Sequence, residues 1–594
     1  MILGGESVYY FNFCSLGVWN YITEVYVGFS ESVFCNSETQ QKRLEEAMAH
    51  IKDVETGSET TLDRRRLVRI LGAGLAAVAV SGAAFRLRNQ AGRSAEAGAV
   101  HLTPSLASSL FLPDVEIALE ASPATVALFP GAPTRVWKYS GKVLHGSPDS
   151  LEVIPGSYLG PTLRLRKGQK VRIRFTNSLP ETSIVHWHGL HVPASMDGHP
   201  RDAIASGQTF VYEFEVINRA GTYWYHPHPH DRTGSQVYPG LAGLLIVEDE
   251  EAQKLGLPSG AYDLPIVLQD RSVDEDTQLV YLTNGMMDGM NGFLGDRILV
   301  NGRPDFTLSV ATRTYRLRLL NGSNSRVYKL AWSDGTPLTV IGTDGGLLEK
   351  PTVRRYITLA PAERIELLVD FRKYPFHSKL ELRSLEFSGA PSGGMGADAP
   401  LPNGAPFSVL KVQVMRQEKE SFAVPATLTP ITRYRFNDAV NVAAPRRFTL
   451  SMGHMRWLIN GRTFQRDEVA DDETVRLNTL EVWEFVNQTQ SSDATGGMGG
   501  MGMMGGMAMA HPLHIHGLQF QVISRRIAPE FRSQWMSLRD GFVDEGWKDT
   551  VLIMPGETIR LLLRFETYSG LFLYHCHILE HEDMGMMRNY RIRA

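Results

Sequence analysis

The sequence predicts an all-β chain of three consecutive β-sandwich domains, and three observations carry that reading. Beyond about residue 100, short stretches of alternating apolar and polar residues, such as 162–175, 209–216 and 558–565, are separated by Gly, Pro, Asn and Asp turns. Such alternation puts one face of a strand on a core and the other in solvent. The chain also repeats itself: Val171-Arg-Ile-Arg-Phe-Thr-Asn177 returns as Tyr315-Arg-Leu-Arg-Leu-Leu-Asn321 and, more loosely, as Glu481-Val-Trp-Glu-Phe-Val-Asn487. Finally, 594 residues make room for three or four domains at about 100–200 residues each.

Taken in order, the chain begins with residues 1–60, an extension rich in apolar aromatic clusters that reads as an over-extended start. Within 61–99, Asp63-Arg-Arg-Arg-Leu-Val-Arg69 resembles a twin-arginine export signal. The apolar run after it, Ile70 to about Ala84, is short for a membrane span, and Ser81, Gly82, Ala83 and Ala84 suit a cleavage region. An exported, periplasmic or extracellular chain is expected, with no stable membrane insertion once the signal is removed. Cleavage near 84–99 leaves Cys576 as the single cysteine, because the other two are Cys14 and Cys35. A lone exported thiol is an oxidation hazard unless a metal holds it. Net charge is −4 without a basic run, which argues against a nucleic-acid partner. A monomer is expected.

The repeats divide the rest into domains of about 100–250, 251–415 and 425–594, joined by the Gly/Pro-rich stretch 388–406 and a segment around 417–430. The first and third share more than the strand motif. Val185-His-Trp-His-Gly-Leu190 matches Leu513-His-Ile-His-Gly-Leu518, and Gly221-Thr-Tyr-Trp-Tyr-His-Pro-His228 matches Gly570-Leu-Phe-Leu-Tyr-His-Cys-His577. The middle domain has neither, so chemistry is expected only in the outer two.

Cys576, His581 and Met586 are the ligand types of a blue-copper site: a thiolate, an imidazole and a weak axial thioether, needing one more histidine. In a strand His511 faces away from His514, three residues on, and so supplies that imidazole. Pro227 stands where Cys576 does, and Ser183 where His511 does, so the first domain cannot build this site. Eight histidines remain, four from each outer domain: His186, His188, His226, His228, His514, His516, His575 and His577. They exceed the needs of one metal and predict a multinuclear cluster between domains one and three. Imidazole suits several metals, but the thiolate–imidazole–thioether set favours copper. Alternation turns His575 and His577 away from the Cys576 metal, so one strand serves two sites. His191, His199, His230, His377 and His454 read as structural or surface residues.

These four clusters, their order and the three-domain plan resemble the three-domain multicopper oxidases over about residues 100–594. Within that family Met196-Asp-Gly198, His226-Pro-His-Pro-His-Asp-Arg-Thr-Gly234 and Leu579-Glu-His-Glu-Asp-Met-Gly-Met-Met587 are most similar to bacterial periplasmic copper-efflux (cuprous) oxidases. The resemblance implies cupredoxin-like Greek-key domains and four copper ions per chain. It places a type 1 copper on His511, Cys576, His581 and Met586, and a type 2 copper on His186 and His514. A type 3 pair falls to His188, His226, His228, His516, His575 and His577. It further implies one-electron oxidation of a substrate coupled to four-electron reduction of dioxygen to water. Asp197 and Glu582 match positions that deliver protons and orient ligands. With every ligand position filled, a scaffold of the same fold without ligands is disfavoured.

Between 496 and 509 the chain is almost wholly Gly and Met, with Met498, Met501, Met503, Met504, Met507 and Met509 just before His511. Glycine on this scale prevents packing, and thioethers favour Cu(I), so a mobile Cu(I)-recruiting loop is expected. The copper-efflux oxidases carry such segments earlier in the third domain. Met286, Met287, Asp288 and Met290 form a smaller cluster in the second domain, read equally well as packing. Cu(I) oxidation is the leading expectation. Laccase-like oxidation of phenols or aromatic amines is second, and copper sequestration or a structural role are the non-enzymatic alternatives.

Overall fold

Each copy of the repeated motif becomes a central strand with the same partners. Lys170–Asn177 pairs parallel with Val115–Val126 and antiparallel with Thr209–Glu215. Thr314–Asn321 pairs in the same senses with Asp263–Val273 and Arg364–Asp370, and Thr479–Asn487 with Arg446–Gly453 and Glu557–Phe565. The asparagine that closes each copy explains why the motif recurs. Its side-chain amide donates to two backbone carbonyls in all three cases: Glu181 and Ile204 from Asn177, Arg326 and Leu359 from Asn321, Met509 and Ile553 from Asn487. Buried carbonyls need such donors, so the residue is fixed by backbone satisfaction rather than by packing.

The computed structural model describes residues 107–389, 399–453, 455–488 and 509–594. The export motif, His454 and the methionines from Met498 to Met507 lie outside these residues. Among the described residues the chain is almost all β, in six mixed sheets. Two of them use strands within 115–248, two within 263–416 and two within 446–593. Each pair encloses an apolar core. Ile117, Phe175, Trp187 and Leu245 belong to the first, Leu317, Ile341, Leu367 and Val412 to the middle one, and Phe448, Trp483, Leu561 and Phe572 to the last. Full burial of such a side chain contributes roughly 1.5–3 kcal/mol. A further cluster, with Val136, Trp224, Val267 and Leu320, joins the first and middle pairs of sheets.

Two antiparallel strand pairs position the histidines. Val185–His188 lies against Gly221–Pro227 with His186 opposite His226, and His511–Ile515 against Gly570–Cys576 with His514 opposite His575. Only His186-x-His188 lies wholly within a strand. Strands end at Pro227, Ile515 and Cys576, and His228, His516 and His577 lie one residue beyond. Their backbone N–H groups still donate across, to the carbonyls of Ile184, Leu573 and Pro512. The chain stays extended for that extra residue, so the alternation of side chains survives.

Candidate metal centre

At the third domain's own site, Cys576 Sγ lies 3.4 Å from His511 Nδ1 and 3.6 Å from His581 Nδ1. Met586 is buried beside them, its N–H donating to the His581 carbonyl and its carbonyl accepting from Cys576 N–H. Trp457 packs against both imidazoles, with ring centroids 4.7 and 4.9 Å away. The outer nitrogen of His581, Nε2, donates to the Met290 carbonyl at 3.0 Å, and Trp457 Nε1 donates to the same oxygen at 2.9 Å. A carbonyl only accepts, so His581 carries its proton on Nε2 and turns a bare lone pair on Nδ1 toward the thiol. Burial pushes the Cys576 thiol up and holds His511 down to about 3. A thiolate is therefore unfavourable here unless a cation neutralises it, which is the condition of a metal site.

The other eight histidines converge between the first and third domains. His186 Nδ1 donates to the Asp197 carbonyl at 2.7 Å and His514 Nδ1 to the Asp549 carbonyl at 2.8 Å, which leaves their Nε2 atoms facing each other at 3.4 Å. His516 Nδ1 donates to Asp197 Oδ2 at 2.8 Å and His575 Nδ1 to the Cys576 carbonyl at 3.1 Å. Their Nε2 atoms meet at 3.1 Å, and His228 Nε2 joins His575 at 3.3 Å. His188, His226 and His577 form another triad, with ring centroids 5.1–5.7 Å apart. His188 Nδ1, His226 Nε2 and both nitrogens of His577 are buried without a protein partner.

Bare imidazole lone pairs at such distances repel, and only a shared cation satisfies them all. Burial first, then neighbouring imidazoles, holds His188, His226, His228, His514, His516 and His577 well below the ordinary histidine range. Neutral rings are what metals bind. The residues fit a metal cluster.

Both predicted carboxylates sit at this cluster and are buried. Asp197 accepts from His516 with its side chain and from His186 with its backbone. Glu582 lies 3.2 Å from His575 Nδ1 and 3.5 Å from His228 Nδ1, and accepts from Thr233 Oγ1 at 2.5 Å. Burial, reinforced by Asp583, pushes its carboxyl well above the usual range.

Of the methionine segment, only Met509 lies among the described residues. It is corrected: 2% exposed, it belongs to the third domain's core, with its carbonyl held by Asn487. It is not part of a solvated loop. His230 is half exposed beside Asp231, and His199 is buried against Asn589, as structural or surface roles require.

Sequence reasoning missed Trp457, Asp549, Thr550 and Arg364, and it noticed Met290 for its thioether rather than for its carbonyl. Asp549 Oδ1 accepts from His188 Nε2 at 3.1 Å, and Thr550 Oγ1 lies 3.2 Å from the same nitrogen. No local sequence signal marks this pair, because the imidazoles they hold lie far away in the chain. Arg364 had none either, because it lies in the middle domain, far in sequence from every histidine it helps to hold.

Profiles of the multicopper oxidases match residues 137–252 and 439–594, which together hold every histidine of both sites. The chain is 34% identical over 437 residues to the multicopper oxidase mco of Staphylococcus haemolyticus, spanning 74% of this chain and 83% of that protein. It is 32% identical over 506 residues to a laccase of Bacillus stratosphericus, spanning 77% and 90%. The crystal structure of the McoA multicopper oxidase from Aquifex aeolicus is similar with a TM-score of 0.66 at 35% identity, covering 83% of this chain and 100% of that one. The thiol site, the histidine cluster and these relatives agree that the chain belongs to the multicopper oxidases, oxygen-reducing enzymes built on cupredoxin domains.

Proposed function

We propose that this multicopper oxidase oxidises Cu(I) and passes the electrons to dioxygen. One observation carries the choice of donor: the outer nitrogen of His581 is bonded to the Met290 carbonyl, and the imidazole is fully buried. An organic ring therefore has no bare imidazole edge to contact. The helix over it, Met286–Asn291, instead offers thioethers, with Met286 64% exposed and Met287 half-buried. Thioethers are soft ligands that favour Cu(I). Oxidation of phenols is the second reading, favoured by likeness to a protein named laccase.

In this reading His511, Cys576, His581 and Met586 hold the type 1 copper, and His186 and His514 the type 2. The triads His228/His516/His575 and His188/His226/His577 hold the type 3 pair. Bound copper supplies one-electron chemistry at the first site and reduction of dioxygen to water at the cluster. The chain's part is connection and proton supply. Cys576 is covalently continuous with His575 and His577, so the chain would connect the two copper sites through one Cys–His step. Glu582, kept protonated by burial, stores a proton beside His575 and His228, and Asp197 fixes His516. The arginine motif at 63–69 supports export, where surplus Cu(I) is oxidised outside the cytoplasm.

The test is oxygen uptake by copper-loaded protein with Cu(I) or a phenol as donor, before and after M286L/M287L. Cu(I) turnover should fall roughly tenfold, in line with loss of a ligating pair, while phenol turnover holds. Unchanged Cu(I) kinetics would sink the proposal.

A further inference from the structure

Among its described residues the middle domain gives the histidine cluster no ligand, yet it reaches the groups that hold the cluster through Arg364. Arg364 opens the strand Arg364–Asp370 and is fully buried. Its guanidinium grips the Asp549 carboxylate bidentately, Nη1 to Oδ1 at 2.7 Å and Nη2 to Oδ2 at 2.5 Å. The other three N–H groups donate to the carbonyls of Thr222, Ala362 and Asp344 at 2.9–3.0 Å. All five donors are used, on acceptors from all three pairs of sheets. A guanidinium so held has one orientation.

Asp549 passes that orientation on. Its Oδ1 accepts from His188 Nε2 and from Thr550 Oγ1, and its backbone carbonyl accepts from His514 Nδ1. One residue thus fixes which nitrogen of each imidazole is bare: Nδ1 in His188 and Nε2 in His514. The surroundings leave no slack. Gly189 has φ +88°, and a Cβ there would lie 2.6 Å from Asp549 Oδ2 and 2.7 Å from Arg364 Nη2. Behind the pair, Lys548 bridges Asp344 and Glu363 at 3.1 and 3.0 Å, all of them buried.

We infer that Arg364 is a positioning residue for the cluster: through Asp549 it sets the tautomer and aim of His188 and His514, making the middle domain part of the oxygen-reducing site. This rests on assigning those two histidines to the cluster. Groups that orient a ligating histidine typically contribute 10- to 100-fold in metal affinity or activity. The fork is also specific to arginine, because a lysine keeps the charge and loses both parallel bonds.

The experiment uses the full copper-loaded chain with R364M, R364K and the double variant R364M/D549N. The double variant removes the buried carboxylate that R364M leaves unpaired, an uncompensated charge that can itself prevent folding. Blue absorption of the Cys576 site reports a folded third domain, electron paramagnetic resonance reports the type 2 copper, and oxygen uptake gives kcat and KM for dioxygen. We expect blue absorption to persist while the type 2 signal is lost or altered. kcat/KM for dioxygen should fall roughly 10- to 100-fold, with R364K between wild type and R364M. An unaltered type 2 spectrum and unaltered dioxygen kinetics in the double variant would overturn the inference. So would parallel loss of blue and type 2 signals in all three variants, which is the mark of a purely structural role. A wild-type chain that binds copper with no type 2 signal would overturn the cluster assignment and this inference with it.

Discussion

Glu582 shows how much one side chain's surroundings decide. It is buried, two imidazoles lie against it, and Thr233 donates to it, so its environment favours the protonated form. Replacing it by glutamine keeps the size and a hydrogen-bonding end but removes the proton that can be given up. Glu582→Gln is expected to retain copper while kcat for dioxygen reduction falls roughly 100-fold or more. Copper analysis and oxygen uptake check this together, and an unchanged kcat would return Glu582 to a purely orienting role. Its place was legible because it matches a position of the copper-efflux oxidases that the chain resembles. Asp549 was not legible. Nothing in Trp547-Lys-Asp-Thr550 distinguishes a carboxylate that fixes two imidazoles from one in a turn.

At the scale of elements, the turn that carries Asp197 is held by a single glycine. Gly198 has φ +81°, and a Cβ there would lie 2.1 Å from the Val185 carbonyl and 2.8 Å from His186 Cα. Left-handed backbone alone costs an ordinary residue about 1–2 kcal/mol, and the clash adds to it. Gly198→Ala should lower the stability of the copper-free chain by about 2 kcal/mol or more, measured by thermal unfolding, and perturb the type 2 signal through Asp197. The motif Met196-Asp-Gly198 stood out in the sequence, but its reason is steric and appears only when the turn meets the histidine strand. Helix Met286–Asn291 makes the same point in reverse. Its side chains drew attention, yet the group that touches the thiol site is a backbone carbonyl, which no side-chain pattern reveals.

For the whole molecule, cation sites and fold are one energetic problem. Without metal, the protein buries many neutral imidazoles with lone pairs turned on one another. His511 and His575 are held down to about 3 by burial, so they stay neutral in the folded copper-free chain while the unfolded chain protonates them near 6.5. A lowered histidine contributes no penalty above the unfolded value and a growing one below it. Stability of the copper-free protein should therefore fall as pH drops from about 6.5 toward 3, by about 1.4 kcal/mol per pH unit for each such histidine. Copper, binding the folded state alone, should raise the midpoint and flatten this dependence. Calorimetry across that range, with and without copper, reads both effects. Equal pH slopes in the two forms would contradict the expectation.

The sequence by itself determined the ligand inventory and the threefold β plan. Alternation, the recurrent strand closed by asparagine, and the His-x-His and His-Cys-His spacings are local, and local spacing fixes which side chains share a strand face. The resemblance had paired His186 with His514; only the tertiary structure decided how the other six histidines divide into two triads, and which ring nitrogen each leaves bare. Those facts depend on acceptors far away in the chain. Likewise, Met509 belongs to the core rather than to the glycine-rich segment, because Asn487 and the sheet hold its backbone. Arg364 and Met290 reach the two sites from the middle domain, which supplies neither site with a histidine or the thiol, and their roles arise where three domains meet. Long-range packing leaves no mark in local pattern, which is why the ligands were legible while Asp549, Arg364 and the Met290 carbonyl, which aim and shield them, were not.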